Sequence, residues 1–214
     1  MNQEPDTSTR KVILTMLKTQ GPLSVNEISR QLGITEMAVR RHLNTLERDG
    51  LLETRLIRQA MGRPSNVYSL TALADELFPK KYHHLTLDLL SELMEEEGQA
   101  KIDRLFELRK EKLNSKYSSR MQDKTLKERV SELADIQNEN GYMVEWQQQD
   151  EDTYVLNEHN CPITHVANQY QQACSCELAL FQNLLDATVE QTECLAKGGA
   201  KCVYFIQRNV QRAQ

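Results

Sequence analysis

The punctuation between Ser24 and Gly50 constrains this chain more than any other feature. Ser24-Val25-Asn26-Glu27 has the pattern of a capping box, in which the Ser hydroxyl and the Glu carboxylate reciprocally satisfy amides left open at a helix start. The helix it opens runs through Leu32, and Gly33 supplies a tight turn. Thr35 is placed to cap a further helix, in which Val39, Leu43 and Leu46 recur at helical spacing until Asp49-Gly50 stops it. Two short helices about a tight turn cannot cover their own apolar faces. An earlier helix carrying Val12, Ile13, Met16 and Leu17, closed by Gly21-Pro22, offers the missing surface. After Gly50, the β-compatible runs Leu51–Ile57 and Val67–Leu70 flank the loop Arg58–Asn66 and read as a hairpin. Three helices and a hairpin in this order predict a winged helix-turn-helix over residues 1–82.

Burying Val39, Leu43 and Leu46 turns Glu36, Met37, Arg40, Arg41 and Asn44 toward solvent. Arg grips guanine O6 and N7 bidentately, Asn does the same for adenine, and both also serve phosphates. The expected DNA-contacting set is therefore Thr35, Glu36, Arg40, Arg41 and Asn44, with Arg58 and Arg63 of the wing. Gly62-Arg63-Pro64 holds its Arg between a permissive and a stiff residue, suited to a phosphate or the minor groove. Charge agrees with this division. The net charge of −5 conceals 12 Lys and Arg against 9 Asp and Glu in residues 1–82, and 14 against 22 in the remainder. A polyanion is attracted to the first part and repelled by the second.

Residues 83–140 are rich in Leu, Glu and Lys, with one Gly and no Pro, and predict long helices. Leu85, Leu87, Leu89, Leu90, Leu93 and Met94 form a broad apolar face, continued past Gly98 by Ile102, Leu105, Phe106, Leu108 and Leu113. Such a stripe needs a partner, so this segment is expected to be a linker that makes a homodimer. From 141 the character changes. Strands around Tyr142–Trp146 and Thr153–Leu156, helices near Ile163–Tyr170 and Glu177–Leu185, and a hairpin turning at Lys197–Ala200 predict a small α+β sensor domain over 141–214. The expected fold class is thus α+β and helix-rich.

All five cysteines, Cys161, Cys174, Cys176, Cys194 and Cys202, lie in that last segment. No apolar run suffices for a membrane span and the polar start lacks the organisation of a signal peptide, so a cytoplasmic protein with no membrane partner is expected. There, clustered cysteines favour metal or redox chemistry over structural disulfides. Zn²⁺ binding or thiol oxidation would each suit such a set. No Gly-rich phosphate loop, paired-carboxylate motif or triad-like order appears, and the chain is not expected to be an enzyme. Cys176 follows Cys174 by two residues, about 200° round a helix axis, and is not expected to ligate beside it.

The run Gly33-Ile34-Thr35-Glu36-Met37-Ala38-Val39-Arg40-Arg41-His42-Leu43, with Gly62-Arg63-Pro64 and Tyr68-Ser69-Leu70-Thr71, resembles the amino-terminal half of SufR-type repressors, winged-helix regulators labelled DeoR. Cys161-Pro162, Cys174 twelve residues after Pro162, Glu177–Phe181 and Gly198-Gly199-Ala200-Lys201-Cys202 resemble the same proteins. The resemblance implies a homodimeric repressor that binds double-stranded DNA at an inverted-repeat operator and controls iron-sulfur cluster assembly genes. It also implies an iron-sulfur cluster held by Cys161, Cys174 and Cys202; from its place across the glycine hairpin Cys194 is the next candidate ligand, and His165, one helical turn after Cys161, or His159 could substitute. Thiolate ligation by cysteines distant in sequence suits such a cluster.

Overall fold

The computed structural model describes residues 5–58 and 64–209. The chain divides into two compact units, Met1–Lys80 and Lys81–Gln214.

In the first unit, α1 (Pro5–Gln20) ends at Gly21, whose φ of 81° is left-handed. β1 (Leu23–Ser24) leads into α2 (Val25–Leu32), with the Ser24–Glu27 capping box formed in both directions. Gly33 closes α2 at φ 67°, its amide bonding to the Ser29 carbonyl. Thr35 then caps α3 (Glu36–Arg48) by accepting from the Ala38 amide. β2 (Leu52–Ile57) and β3 (Ser65–Leu70) pair antiparallel, with Thr54 opposite Tyr68, and α4 (Ala72–Asp75) follows. β3 also pairs with β1, a strand that sequence patterning does not show, so the sheet runs β1-β3-β2. Ile13, Ile28, Val39, Leu43, Leu46, Leu52 and Tyr68 form its core.

The second unit begins with α5 (Tyr82–Glu97) and α6 (Gln99–Tyr117), joined at Gly98 with φ 77°. A 3-10 turn (Ser118–Met121) precedes α7 (Leu126–Glu139), whose capping box is Thr125 and Glu128. β4 (Val144–Gln148), β5 (Thr153–Glu158), β6 (Ala187–Glu193) and β7 (Cys202–Arg208) make an antiparallel sheet in the order β4-β5-β7-β6. Between β5 and β6 come α8 (Thr164–Ala167) and α9 (Gln172–Leu185).

The helical segment read from sequence as a separate linker shares one core with the cysteine region. Ile102 and Phe106 of α6 and Val130, Leu133 and Ile136 of α7 are buried with Phe181, Leu184, Leu185 and Tyr204. Leu87, Leu90, Leu93 and Met94 pack against the same core. The apolar face of α5 is therefore split, and Tyr82, Leu85 and Leu89 are left at 70%, 59% and 62% exposure. Among the described residues, no helix is long and apolar enough to cross a membrane.

The turn from β6 to β7 is longer than the hairpin read from sequence, since it spans 194–201 and contains a 3-10 turn, Leu195–Lys197. A bulge between Gln191 and Glu193 shifts the register so that Glu193 faces Val203. Cys194 directly follows the strand, and Cys194 and Cys202 are both buried.

Candidate functional site

Two constellations carry the chemistry, one in each unit. On α3, Val39, Leu43 and Leu46 face the core while Thr35, Glu36, Met37, Arg40, Arg41 and Asn44 are exposed. The Asn26 amide donates to Glu36 at 3.1 Å, and Arg40 donates to the same carboxylate at 3.2 Å. These bonds hold the Glu36 carboxyl below the usual carboxylate range. The Glu36–Arg40 pair is solvent-exposed and therefore weak, so Arg40 can leave it for a phosphate or base at little cost. Arg40 also borders a shallow recess formed by Val25, Pro64, Ser65 and Asn66, which brings α3 beside the base of the wing. The Thr54 hydroxyl donates to Glu47 at 2.6 Å and ties the far end of α3 to β2. Arg58 stands exposed where β2 ends. Arg63 lies outside the described residues. Sequence reasoning missed Asn26, which orients Glu36, and the wing-base residues Ser65 and Asn66; only the fold brings these to α3.

In the second unit, four cysteines gather at one end of the sheet. Glu158 and Cys202 are direct cross-strand partners, and Tyr204 lies opposite Leu156 on the same face. α9 lies over this face, with the Phe181 ring edge-on to Tyr204 at 4.9 Å. Its first turns carry Cys174 and Glu177. The Cys194 thiol donates to the Cys174 sulfur at 3.9 Å, and the Leu195 amide donates to the Cys202 sulfur at 3.4 Å. Cys161 is half-buried. Burial pushes its thiol up to about 11, and Glu177, Glu158 and Cys194 add to the rise. Burial likewise raises Cys202 to about 12 and raises Cys174 further, with Cys194 and Glu177 contributing to the latter. Cys161, Cys174, Cys194 and Cys202 are thus one electrostatic neighbourhood. Cys176 is outside it: across the helix axis, its thiol faces Glu107 of α6 at 3.5 Å. His165 is exposed and stacks on His83 at 4.2 Å, and exposed His159 lies 3.6 Å from Glu145, so neither is turned to the thiols.

Beneath the thiols lies a polar layer that sequence reasoning did not single out. Glu158 is fully buried, accepts from the Gln137 amide at 2.8 Å, and leaves Oε2 without a partner. Burial and then Glu177 push its carboxyl up to about 9. Glu177 is also raised by burial; it borders a cavity lined by Arg109, Leu113, Gln137, Tyr142 and Leu184, which leaves it partly exposed. The Tyr204 hydroxyl donates to Glu177 at 3.4 Å. The signal for Glu158 was present in the strand alternation, since Tyr154, Leu156 and Glu158 share one face.

The thiols match a soft metal centre in kind. Among the described residues, however, no three His, Cys, Asp or Glu side chains already stand at metal-binding spacing.

Residues 6–55 match the model of a helix-turn-helix domain. No curated protein matches the chain. Among solved structures, the transcriptional regulator Tm0710 from Thermotoga maritima is 20% identical, over 54% of this chain and 79% of its own, with a TM-score of 0.31. The adhesin competence repressor AdcR from Streptococcus pyogenes is 25% identical, over 49% and 80%, with a TM-score of 0.30. A trafficking protein particle complex subunit 3 from Naegleria fowleri, covalently bound to palmitic acid, is 10% identical over 67% and 100%, with a TM-score of 0.42. Likeness at these scores carries no argument about function. The domain match, the capped helix pair and the wing show that the first unit of this chain carries a helix-turn-helix domain.

Proposed function

We propose that the protein is a homodimeric repressor that binds an inverted-repeat operator while an iron-sulfur cluster occupies its second unit, and lets go when the cluster is lost. Its targets on this reading include genes for cluster assembly. The observation that supports it is the convergence of Cys161, Cys174, Cys194 and Cys202 from four separate segments on one end of a sheet, with two sulfurs already 3.9 Å apart. These four thiols would hold the cluster, which when bound supplies a centre that oxidants and iron shortage destroy. The described thiols do not stand at ligating spacing, so loading would require them to move closer together. Loss of those bonds loosens the unit, and binding both half-sites then costs additional ordering free energy.

Anaerobic purification with iron and sulfide analysis and a visible spectrum tests the cofactor. A brown protein with stoichiometric iron and sulfide supports the reading, whereas a colourless protein with bound zinc replaces it with a zinc-thiolate regulator. Operator titrations then compare loaded and unloaded protein. A 5- to 150-fold difference, the range of a coupling of about 1–3 kcal/mol, is expected. Equal affinities sink the sensor even where iron is present.

A further inference from the structure

The closest sulfurs in the thiol group have a chemistry of their own. Cys174 sits in the first turn of α9 and Cys194 directly follows β6, and both are buried. Their sulfurs are 3.9 Å apart. A disulfide requires about 2.05 Å, so the two sulfurs must approach by about 2 Å. The other cysteines are engaged differently: Cys176 faces Glu107, and the Cys202 sulfur accepts the Leu195 amide. Cys161 is half-buried.

We propose that Cys174 and Cys194 form a reversible disulfide in the metal-free protein, with a peroxide as oxidant. One sulfur, after giving up its proton, attacks the peroxide O–O bond and becomes a sulfenic acid, and the departing oxygen takes up a proton. The second sulfur displaces the sulfenic hydroxyl as water. Two S–H bonds and one O–O bond are broken, one S–S bond is formed, and two electrons pass from the thiols to hydrogen peroxide, giving two molecules of water. A thiol reductant reverses the reaction by exchange. The crosslink closes a 20-residue separation and ties the start of α9 to the end of β6. It rests on the geometry of the thiol site in the proposed function but not on which metal that site takes. Its consequence is that oxidation withdraws two of the four ligands together.

The test uses the full-length metal-free protein, reduced and then treated with hydrogen peroxide, with remaining thiols capped by iodoacetamide. Cleavage after Glu177 and Glu193 places Cys174 and Cys194 in different peptides. The expected product is a linked peptide pair, lighter by two hydrogens than the separate peptides and mapped by fragmentation to Cys174 and Cys194. Cys174→Ser and Cys194→Ser should each abolish it, while Cys176→Ser retains it. Linkage through any other cysteine, or full alkylation of all five after peroxide, overturns the proposal without relying on any variant to fold. A second arm follows Co²⁺ by its thiolate absorbance. Reduced protein should take up Co²⁺, oxidised protein should not, and dithiothreitol should restore uptake. Failure of the reduced protein to bind Co²⁺ counts against the metal reading, while the peptide map alone decides the disulfide. Equal Co²⁺ uptake by mapped, oxidised protein overturns the withdrawal of ligands.

Discussion

At the scale of single residues, function rests on side chains whose surroundings leave them available. Among the described residues, Arg40 is held by an exposed pair with Glu36, and Arg41 is exposed on the same helix. Arg40→Ala and Arg41→Ala should each weaken operator binding by about 1–3 kcal/mol if the side chain reads a base, or lower the salt slope by about one if it grips a phosphate. Fluorescence anisotropy titrations at several salt concentrations separate these outcomes, and wild-type behaviour in both variants removes α3 from the groove. Glu158 makes a second prediction. Its carboxyl is raised to about 9 in the folded protein from the ordinary 4.5, so it is protonated when folded and ionised when unfolded between those values. The stability this provides is full below the lower value and declines as pH rises toward the upper one. Glu158→Gln mimics the protonated form and keeps an acceptor for Gln137, so its melting temperature should match wild type at pH 4 and exceed it by several degrees at pH 8. A constant gap across pH would show that Glu158 is not buried as a neutral acid. The outward residues of α3 were legible in sequence because helical periodicity alone sorts them. The carboxylate layer was not, because Glu158, Glu177 and Gln137 meet only when three elements pack.

Elements show the same division between local signals and those that need tertiary structure. Both caps of the helix-turn-helix follow from chemistry within four residues, and both formed as the sequence indicates. β1 was invisible because two residues carry no pattern; its strand character comes from pairing with β3. The 194–201 turn was read as too short, since Gly198-Gly199 resembles a tight hairpin while the 3-10 turn before it has no distinctive composition. That turn is fixed by Glu193, whose carboxylate accepts from the amides of Ala200 at 2.7 Å and Lys201 at 3.3 Å. Gly199 packs beneath it, so closely that a Cβ there would lie 2.7 Å from Glu193 Cγ and 2.9 Å from the Cys194 carbonyl oxygen. Gly199→Ala should therefore displace the turn that carries Cys194 toward Cys202. The expected result is at least a tenfold loss of Co²⁺ affinity with an unchanged far-ultraviolet circular dichroism spectrum, and unaltered affinity would show that the turn does not position the thiols.

At the scale of the molecule, two cores that share no buried residue predict two separable unfolding transitions. Calorimetry should resolve them, and metal loading should raise only the one belonging to Lys81–Gln214; a single transition that shifts as a whole would show that the units unfold together. The proposed homodimer has its clearest surface in the exposed Tyr82, Leu85 and Leu89 of α5. Leu85→Glu with Leu89→Glu should give a monomer by light scattering and a weaker operator complex, and a persistent dimer would place the interface elsewhere. The separation of the cores also sets an order of birth. Chains grow from the amino terminus and units fold as they emerge, so the reader, whose core ends at Phe78, is complete before Cys161 has left the ribosome. On the proposed reading, every new copy therefore has its DNA-reading unit folded before its thiol site exists, and the iron and oxidant it meets in the interval after synthesis would set which state it first adopts.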